Sequence, residues 1–257
     1  MILSKRVSLH GVQLDELHEA IVIRSIDPGV PKETINAVSR MGGWGQRVTG
    51  EHWDTLEVSV TYAIDVPKHN MALRRQIFDA VNVWALGKGW LKVNWIADKR
   101  FYVDKVIIPG SGDLWNWTDE FTLVFRAYNI PFWQDELPSQ ATSGTAASGR
   151  VYIPVAGTVQ TVLNVDVRNR SGMTINNLWV QANGNRITLS NLGLGGSSTL
   201  TIDHTASGLL RVRIGSTSVY GKYTGADDLT VTPGTVAVDF AADRAVTVTA
   251  QAYGRWV

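Results

Sequence analysis

The sequence contains no cysteine, few charged residues and no long apolar run. The absence of cysteine excludes disulfides, thiolate catalysis and cysteine metal sites, and it fits a protein made in a reducing cytoplasm. Charged residues make up 18% of the chain, below the roughly one quarter found in average soluble proteins. Such a composition is typical of proteins whose faces are buried by partners, and equally of β proteins rich in Thr, Ser and Asn.

The charge balance and the short apolar runs exclude two classes of partner. A net charge of +1 gives no long-range field that would attract nucleic acid or an anionic membrane. Apolar runs such as Val83 to Leu86 are far shorter than the roughly 20 residues of a membrane span. Met1 to Gly11 lacks the apolar segment of a secretory signal. We therefore expect no nucleic-acid recognition and no membrane insertion.

No arrangement of residues predicts catalysis or metal binding. The sequence lacks a GxSxG motif, and the neighbours Asp203 and His204 would point to opposite faces of a strand. Acidic pairs fall in predicted loops, where solvated carboxylates are the usual outcome, and Asp227-Asp228 offers too few ligands for a calcium cage. We expect no catalytic residue, no metal and no cofactor, and thus not an enzyme. The other acidic pairs are Asp119-Glu120 and Asp135-Glu136, and the five scattered histidines are His10, His18, His52, His69 and His204.

The first half of the chain predicts strands around one helix. Thr55 to Val66 alternates apolar and polar residues, which indicates a half-buried strand that ends at Pro67. From Asn70 to Leu86 the apolar residues recur at helical spacing, with Arg74 and Arg75 on the wet side. This order predicts a small antiparallel sheet or open barrel with one packed helix. The remaining predicted strands are Trp90–Ile96, Phe101–Ile108 and Glu120–Tyr128.

A run of small residues divides the chain into two predicted domains. Residues 138–150 contain Pro138 and then a stretch without periodicity, which predicts a linker between domains at 1–137 and 151–257. The second half consists of short, β-branched segments separated by turns, of which Asn183-Gly184 is the strongest hairpin signal. It predicts a β-sandwich or jelly roll. The predicted strands are Thr158–Val167, Thr174–Ala182, Asn185–Leu189, Ser198–Asp203, Leu209–Ile214, Ser218–Tyr223, Leu229–Val231, Thr235–Phe240 and Ala245–Tyr253.

Several side chains are candidates for contacts with partners. Trp115 and Trp117 precede a strand, and Trp44 and Trp53 lie in a predicted loop region. Exposed tryptophans can stack on sugars or anchor an interface, but they also cover the edge of a core. Arg211 and Arg213 share one face of a predicted strand, which indicates either a solvated, salt-bridged face or an anion site.

The order of glycine and aromatic positions resembles the distal tail protein (Dit) family of siphophages. The resemblance covers nearly the whole chain, although each motif alone is loose. The segments that carry it are Gly42 to Val48, Val83 to Leu91, Gly112 to Trp115, Phe121 to Tyr128, Pro131 to Trp133, Ser207 to Val212, Asp228 to Gly234 and Tyr253 to Trp256.

This resemblance implies a fold and an assembly. The N-terminal domain would be a tail-tube-like β-barrel or sandwich with one helix, and the C-terminal domain a galectin-like β-sandwich. Copies would form a hexameric ring at the distal tail tip of a phage or prophage, with the N-terminal domains in the ring and the C-terminal domains outside it. The ring would contact the tail tube, baseplate hub (tail-associated) and tape measure proteins. It would belong to the virion and be assembled in the cytoplasm of the bacterial host.

Site residues and two other functions remain as alternatives. Trp44, Trp115, Trp117 and the strand at 55–66 are the expected ring contacts. A carbohydrate-binding adhesion module that recognises host surface glycans is the second hypothesis, with Trp179 and His204 as sugar contacts. No sugar-binding residues of the family can be matched to positions of this sequence. The second half also contains no glutamate, a residue that a sugar site of the galectin type would use. A glycan-cleaving or peptidoglycan-cleaving enzyme is the third, and it requires a carboxylate pair across one cleft.

Overall fold

The computed structural model describes residues 5–39, 46–108 and 120–257, and it divides into two compact units, Met1–Trp133 and Gln134–Val257. Both units are built from antiparallel strands, and the described residues contain one α-helix. The predicted fold class, mainly β with a single helix, is therefore confirmed.

The first unit contains two sheets, a separate two-stranded ribbon and the helix. One sheet has the order β3-β6-β10-β9, a second runs β2-β1-β7-β8, and β4 pairs with β5 alone. The elements are β1 Val7–Leu9, β2 Val12–Gln13, β3 Ile21–Asp27, β4 Glu33–Ser39, β5 Gln46–Trp53, β6 Leu56–Ile64, α1 Met71–Ala85, β7 Gly89–Val93, β8 Lys99–Val103, β9 Lys105–Ile107 and β10 Glu120–Ala127. The next strand, β11 Trp133–Asp135, leads along the chain into the second unit.

The core of the first unit forms between α1 and the alternating faces of β6 and β10. Leu123 and Val60 stand opposite each other in the register of these strands and are fully buried. Phe121 lies 5.0 Å from Phe78 of α1, measured between ring centroids. The predicted half-buried strand and the predicted helix are both confirmed, with bounds shorter by one or two residues at each end.

Arg74 corrects the predicted wet face of the helix. Its side chain is only 1% exposed, and its Nη1 donates to the backbone carbonyls of Ile64 (3.3 Å) and Val66 (2.8 Å). Ile64 is the last residue of β6, and Val66 lies two residues beyond it. The Arg74 guanidinium therefore supplies hydrogen bonds to backbone carbonyls at the end of a buried strand. The next residue, Arg75, remains on the surface and pairs with Asp79.

Several strand predictions for the first unit need correction. The predicted strand 101–108 is interrupted at Asp104, whose carboxylate accepts hydrogen bonds from the backbone N–H groups of Tyr128 and Asn129. Those bonds separate β8 from β9, which belong to different sheets. The predicted loop region at Trp53 is wrong, because Trp53 ends strand β5.

The second unit is a β-sandwich, as predicted, and its sheets are continuous through one long strand. The order is β19-β18-β17-β14-β22-β15-β16-β20, with β12 and β13 also paired to β22 and β21 paired to β14. The strands are β12 Ser139–Thr142, β13 Ala146–Val155, β14 Thr161–Asn169, β15 Leu178–Ala182, β16 Asn185–Leu189, β17 Thr199–His204, β18 Leu210–Ile214, β19 Thr217–Ser218, β20 Tyr223–Gly225, β21 Thr230–Val231, β22 Gly234–Ala252 and β23 Arg255–Trp256.

Strand β22 replaces two predicted strands and the predicted turn between them. Its first half pairs with β13 and β15, and its second half pairs with β12 and β14. The turn was predicted from Ala242-Asp243. The Asp243 carboxylate instead accepts hydrogen bonds from the backbone N–H groups of Asn176 and Asn177, at 3.1 and 3.2 Å. The strand therefore continues through this position.

The predicted linker at 138–150 is also wrong. Ser139 to Thr142 pairs with the second half of β22, and Ala146 to Val155 pairs with the first half. The small residues have a packing role, since a Cβ at Gly149 would approach the Phe240 ring to 3.1 Å. The compact units divide after Trp133 rather than within this segment.

Candidate binding surfaces

The β4–β5 ribbon of the first unit carries several exposed apolar side chains. Within the described residues these two strands pair only with each other. At the base of the ribbon, the Trp53 ring packs edge-on against Phe132 at 5.3 Å between centroids. Asp54 also connects the two strands at the base of the ribbon. Its Oδ2 accepts a hydrogen bond from Thr34 Oγ1 at 2.7 Å, and its backbone N–H donates to the carbonyl of Lys32 at 2.8 Å.

Apolar side chains lie on both faces of the ribbon. Ala37 and Val48 stand opposite each other, so they share a face, and Ile35 lies two residues away on the same side. Ile35 is 55% exposed and Val48 is 51% exposed. Val38, on the other face, is 53% exposed. An isolated two-stranded ribbon is at best marginally stable in water, and its free edges invite pairing with another chain.

A second exposed apolar patch of the first unit lies near the end of α1. Val83 and Leu86 lie three positions apart in the sequence, and both are mostly exposed. Their neighbour Trp84 points inward, where its Nε1 donates to the carbonyl of Val12 at 3.0 Å. The last turn of the helix is therefore fixed in place and presents apolar atoms to solvent.

The tryptophans predicted as ring contacts lie outside the described residues. Trp44 belongs to the six residues between β4 and β5 in the sequence, and Trp115 and Trp117 belong to the segment before β10. Their interface role stays a prediction. The ribbon residues Ile35 and Val48 were not among the candidates, because bulging and alternating polar residues hide the strand pattern of residues 33–53.

The structure does not bring Trp179 and His204 together. Trp179 lies on β15 and His204 at the end of β17, with β14 and β22 between these strands. β15 pairs with the first half of β22 and β14 with its second half, so the two residues belong to different parts of the sandwich. The sequence therefore suggested a pair of sugar contacts that the sheet order keeps apart.

Each of these two residues has its own local partner. The guanidinium of Arg186 lies 4.1 Å from the centroid of the Trp179 ring and covers part of it. His204 Nδ1 lies 3.1 Å from Asn164 Oδ1, and burial lowers the pKa of this histidine. His204 is thus partly buried in the sandwich, and its role as a sugar contact stays a prediction.

Arg211 and Arg213 form the salt-bridged face that was one of their two predicted outcomes. Arg211 makes two hydrogen bonds to the Asp203 carboxylate, at 3.0 and 2.6 Å, and Arg213 adds a third at 2.9 Å. Both guanidinium groups are therefore engaged by one carboxylate. An anion would have to compete with Asp203 for them.

Acidic pairs that were considered for chemistry carry structural bonds where the structure describes them. Asp228 accepts hydrogen bonds from the N–H and the hydroxyl of Thr230. Asp135 accepts from the Trp256 indole N–H at 2.8 Å. In the part of the chain that the structure describes, no three acidic or histidine side chains form a group that could hold a metal ion. Over the same residues, no helix is long and apolar enough to cross a membrane.

Comparison with known proteins identifies the fold. No protein-family model matches the sequence, and no curated protein matches it significantly. Among solved structures, the chain is similar to the Dit (gp 19.1) protein of SPP1, which is described as a paradigm of the hub adsorption apparatus in phages that infect Gram-positive bacteria. The two share 13% identity over 96% of this chain and 98% of that chain, with a TM-score of 0.66.

Two phage P2 baseplate structures, in the activated conformation with Ca and with Sr, show weaker similarity. They are 7% and 8% identical over 97% of this chain, with a TM-score of 0.49 each. The chain thus has the fold of the SPP1 Dit protein, which confirms the predicted resemblance at the level of fold.

Proposed function

We propose that this protein is a structural component of a phage tail, a distal tail protein whose copies form a hexameric ring at the tail tip. Two findings support the proposal. The chain shares its whole fold with a protein of a phage hub adsorption apparatus. Its first unit also presents a two-stranded ribbon with exposed apolar side chains, which a partner surface could cover. The role is one of assembly and not of catalysis.

The apolar ribbon is the observation that carries ring formation. Full burial of one aliphatic side chain such as Ile35 or Val48 contributes about 1.5–3 kcal/mol. Because Ile35 and Val48 are already about half buried, a neighbouring copy that covers one face of the ribbon would gain about half of this contribution from each. Pairing along a free ribbon edge would add backbone hydrogen bonds. An interface of this kind needs shape and apolar area rather than charge, which agrees with a chain that is only 18% charged.

A closed ring needs two different patches on each subunit, because its contacts are heterologous. The ribbon supplies one patch, and the exposed pair Val83 and Leu86 supplies a second. In the proposed ring, the ribbon of one copy packs on the helix end of the next. Trp44, Trp115 and Trp117 remain proposed contacts of the same interface.

The proposed ring has further partners in the tail. It would join the tail tube to the baseplate hub and would surround or contact the tape measure protein. The first unit would build the ring, and the second would lie outside it, where a sandwich can present loops and sheet faces to adhesion proteins. The protein would therefore be found in the virion, at the tail tip, after assembly in the host cytoplasm.

Native mass spectrometry and electron microscopy of the full-length protein test this proposal. We expect a hexamer of 28.2-kDa subunits and ring-shaped particles with sixfold views. Antibodies against the chain should label the tail tips of phage particles that carry it. A protein that stays monomeric at every concentration, and that antibodies do not find at tail tips, would contradict the proposal.

A further inference from the structure

We propose that the outer face of the β13-β22-β15-β16 sheet binds a pyranose ring of a neutral saccharide. The proposed site lies wholly in the second unit. It rests on residues other than those of the ribbon, so it holds or fails independently of the ring. The sequence had indicated only Trp179 on this face.

The register of the four strands places polar side chains in one row across this face. Arg150 stands opposite Asp239, Asp239 opposite Gln181, and Gln181 opposite Arg186. Cross-strand partners share a face of the sheet. The residues that alternate with them, such as Val151 and Val238, belong to the apolar core. The row therefore forms the solvent side of the sandwich.

A recess of about 260 Å³ opens beside this row. Ala237, the outward residue of β22 that precedes Asp239, is one of the residues that line it, and its small side chain leaves space above the sheet. Amide, carboxylate and hydroxyl groups also line the recess. The side chains that provide them are Gln181, Asn183, Thr232, Thr235 and Asp239.

These groups match the chemistry of a sugar ring. A pyranose presents neighbouring hydroxyls, each both donor and acceptor, and amides and carboxylates can bind two at a time. Asp239 is held ionised, because its hydrogen bonds from Arg150, at 2.6 and 3.0 Å, lower its pKa. The carboxylate keeps free acceptor capacity, since its side chain is still 31% exposed. A carboxylate at this position also disfavours an anionic ligand.

An exposed aromatic side chain, Tyr152, stands beside one of the residues that line the recess. It stands directly opposite Ala237 in the register of β13 and β22, and it is 60% exposed. An exposed aromatic ring beside hydrogen-bonding groups is the arrangement on which the apolar face of a sugar stacks. The side chain of Ala237, which lies between Tyr152 and the other polar residues, is too small to separate the ring from a sugar bound in the recess.

Trp179, predicted as a sugar contact, lies at the border of the proposed site. It lies one outward position beyond Gln181 on β15, and the Arg186 guanidinium covers part of its ring. Trp179 and Arg186 therefore form one border of the polar row. The stacking residue that the geometry assigns is Tyr152.

The chain offers a second recess for comparison. It measures about 370 Å³ and is lined by Arg211, Arg213 and Tyr220 near β18 and β19. Both of its guanidinium groups are engaged by Asp203. Its exposed aromatic residue, Tyr220, already packs against Tyr223 at 5.2 Å between centroids. This recess has an exposed tyrosine but no amide or accessible carboxylate beside it, so Tyr220→Ala is a matched control.

Saturation-transfer NMR of the full-length protein tests the site, because the method works for assemblies of any size. The probes are methyl β-galactoside, methyl α-glucoside, methyl α-mannoside and N-acetylglucosamine, each titrated to saturation. A shallow recess that holds one ring should bind at least one probe with a dissociation constant on the order of millimolar. Tyr152→Ala and Gln181→Ala should each weaken that binding by about tenfold or more.

The outcomes separate the proposed site from its alternatives. Tyr220→Ala should leave binding unchanged, and the melting temperatures of all variants should match that of the wild type. No saturable transfer from any probe overturns the proposal, as does undiminished transfer in Tyr152→Ala and Gln181→Ala. Binding that is lost only in Tyr220→Ala places the sugar in the other recess and overturns the assignment.

Discussion

The guanidinium of Arg74 on α1 donates a 2.8 Å hydrogen bond to the backbone carbonyl of Val66, beyond the end of β6. This contact is buried, and the same nitrogen also reaches the carbonyl of Ile64. Hydrogen bonds from a charged donor are among the strongest in proteins. The contact therefore fixes the helix against the central strand of the first unit.

Replacing Arg74 by Met should destabilise the first unit by about 2–4 kcal/mol, because buried carbonyls lose a charged donor and the stem no longer fills its site. Urea unfolding followed by tryptophan fluorescence measures the change. This signal reports mainly on the first unit, since eight of the ten tryptophans precede residue 134. Arg75→Met is the matched control.

The control differs only in position along the helix. Arg75 is about half exposed and forms an i,i+4 pair with Asp79, a contact worth only a few tenths of a kcal/mol. Equal losses for Arg74→Met and Arg75→Met would show that the buried bonds contribute nothing.

The two arginines show how far helical periodicity predicts this structure. The spacing of Ile77, Val81 and Trp84 correctly predicted a helix and its buried stripe. It assigned Arg74 to the wet side, because periodicity records the apolarity of a side chain and not the carbonyls that it can reach. The end of a neighbouring strand decides the place of such a residue, and that is a tertiary contact.

The same distinction holds for strands and turns. Asn183-Gly184 correctly predicted a hairpin, and both residues have positive φ, as a tight two-residue turn requires. Ala242-Asp243 gave a similar local signal, but the Asp243 carboxylate binds two backbone N–H groups far away in the sequence. Local turn chemistry predicts a turn only where no distant backbone uses the same side chain.

The candidate surfaces were the hardest features to predict. An exposed apolar ribbon has no special residue type, and Ile35 or Val48 in a sequence resembles any strand residue. The proposed sugar site depends on register, which places Tyr152, Asp239 and Gln181 on one face of the sheet from three strands. No spacing along the chain encodes that neighbourhood.

Gly29 should not tolerate a side chain. Its φ is +62°, and a Cβ at this position would overlap the backbone carbonyl oxygen of Glu57. We expect Gly29→Ala to cost about 3 kcal/mol or more, since backbone must move in addition to the left-handed strain of about 1–2 kcal/mol. Gly11→Ala isolates the strain alone, because Gly11 also has positive φ but nothing lies near its Cβ position. Similar losses in urea unfolding for both variants would contradict this account.

The second unit should lose stability as the pH falls, in part through His204. Burial lowers the pKa of His204 from its ordinary value of 6.5, against a smaller opposing effect of the Asp228 carboxylate. The unfolded chain therefore binds the proton at a higher pH than the folded chain. Stability that is present above about pH 6.5 is lost as the pH falls through the folded pKa.

His204→Gln should flatten this dependence. Calorimetric melting of wild type and variant at several pH values between about 7.5 and 5 gives the two slopes, and their difference isolates His204 from the carboxylates. His69→Gln, an exposed histidine of the first unit, is the control. Identical slopes for wild type and His204→Gln would show that the buried imidazole does not contribute.

An acidic residue on the ribbon should prevent assembly without unfolding the subunit. In the proposed ring, Val48 is covered by a neighbouring copy, so Val48→Asp would bury an unpaired carboxylate in an apolar contact. We expect the assembly to weaken by well over tenfold, measured as the concentration at which the hexamer dissociates in native mass spectrometry. Val48→Ala should weaken it less, because it removes apolar area without adding a charge. Leu209→Asp, at an exposed apolar position of the second unit, is the control and should leave assembly unchanged. If Val48→Asp assembles as well as the wild type does, the ribbon is not the contact that closes the ring.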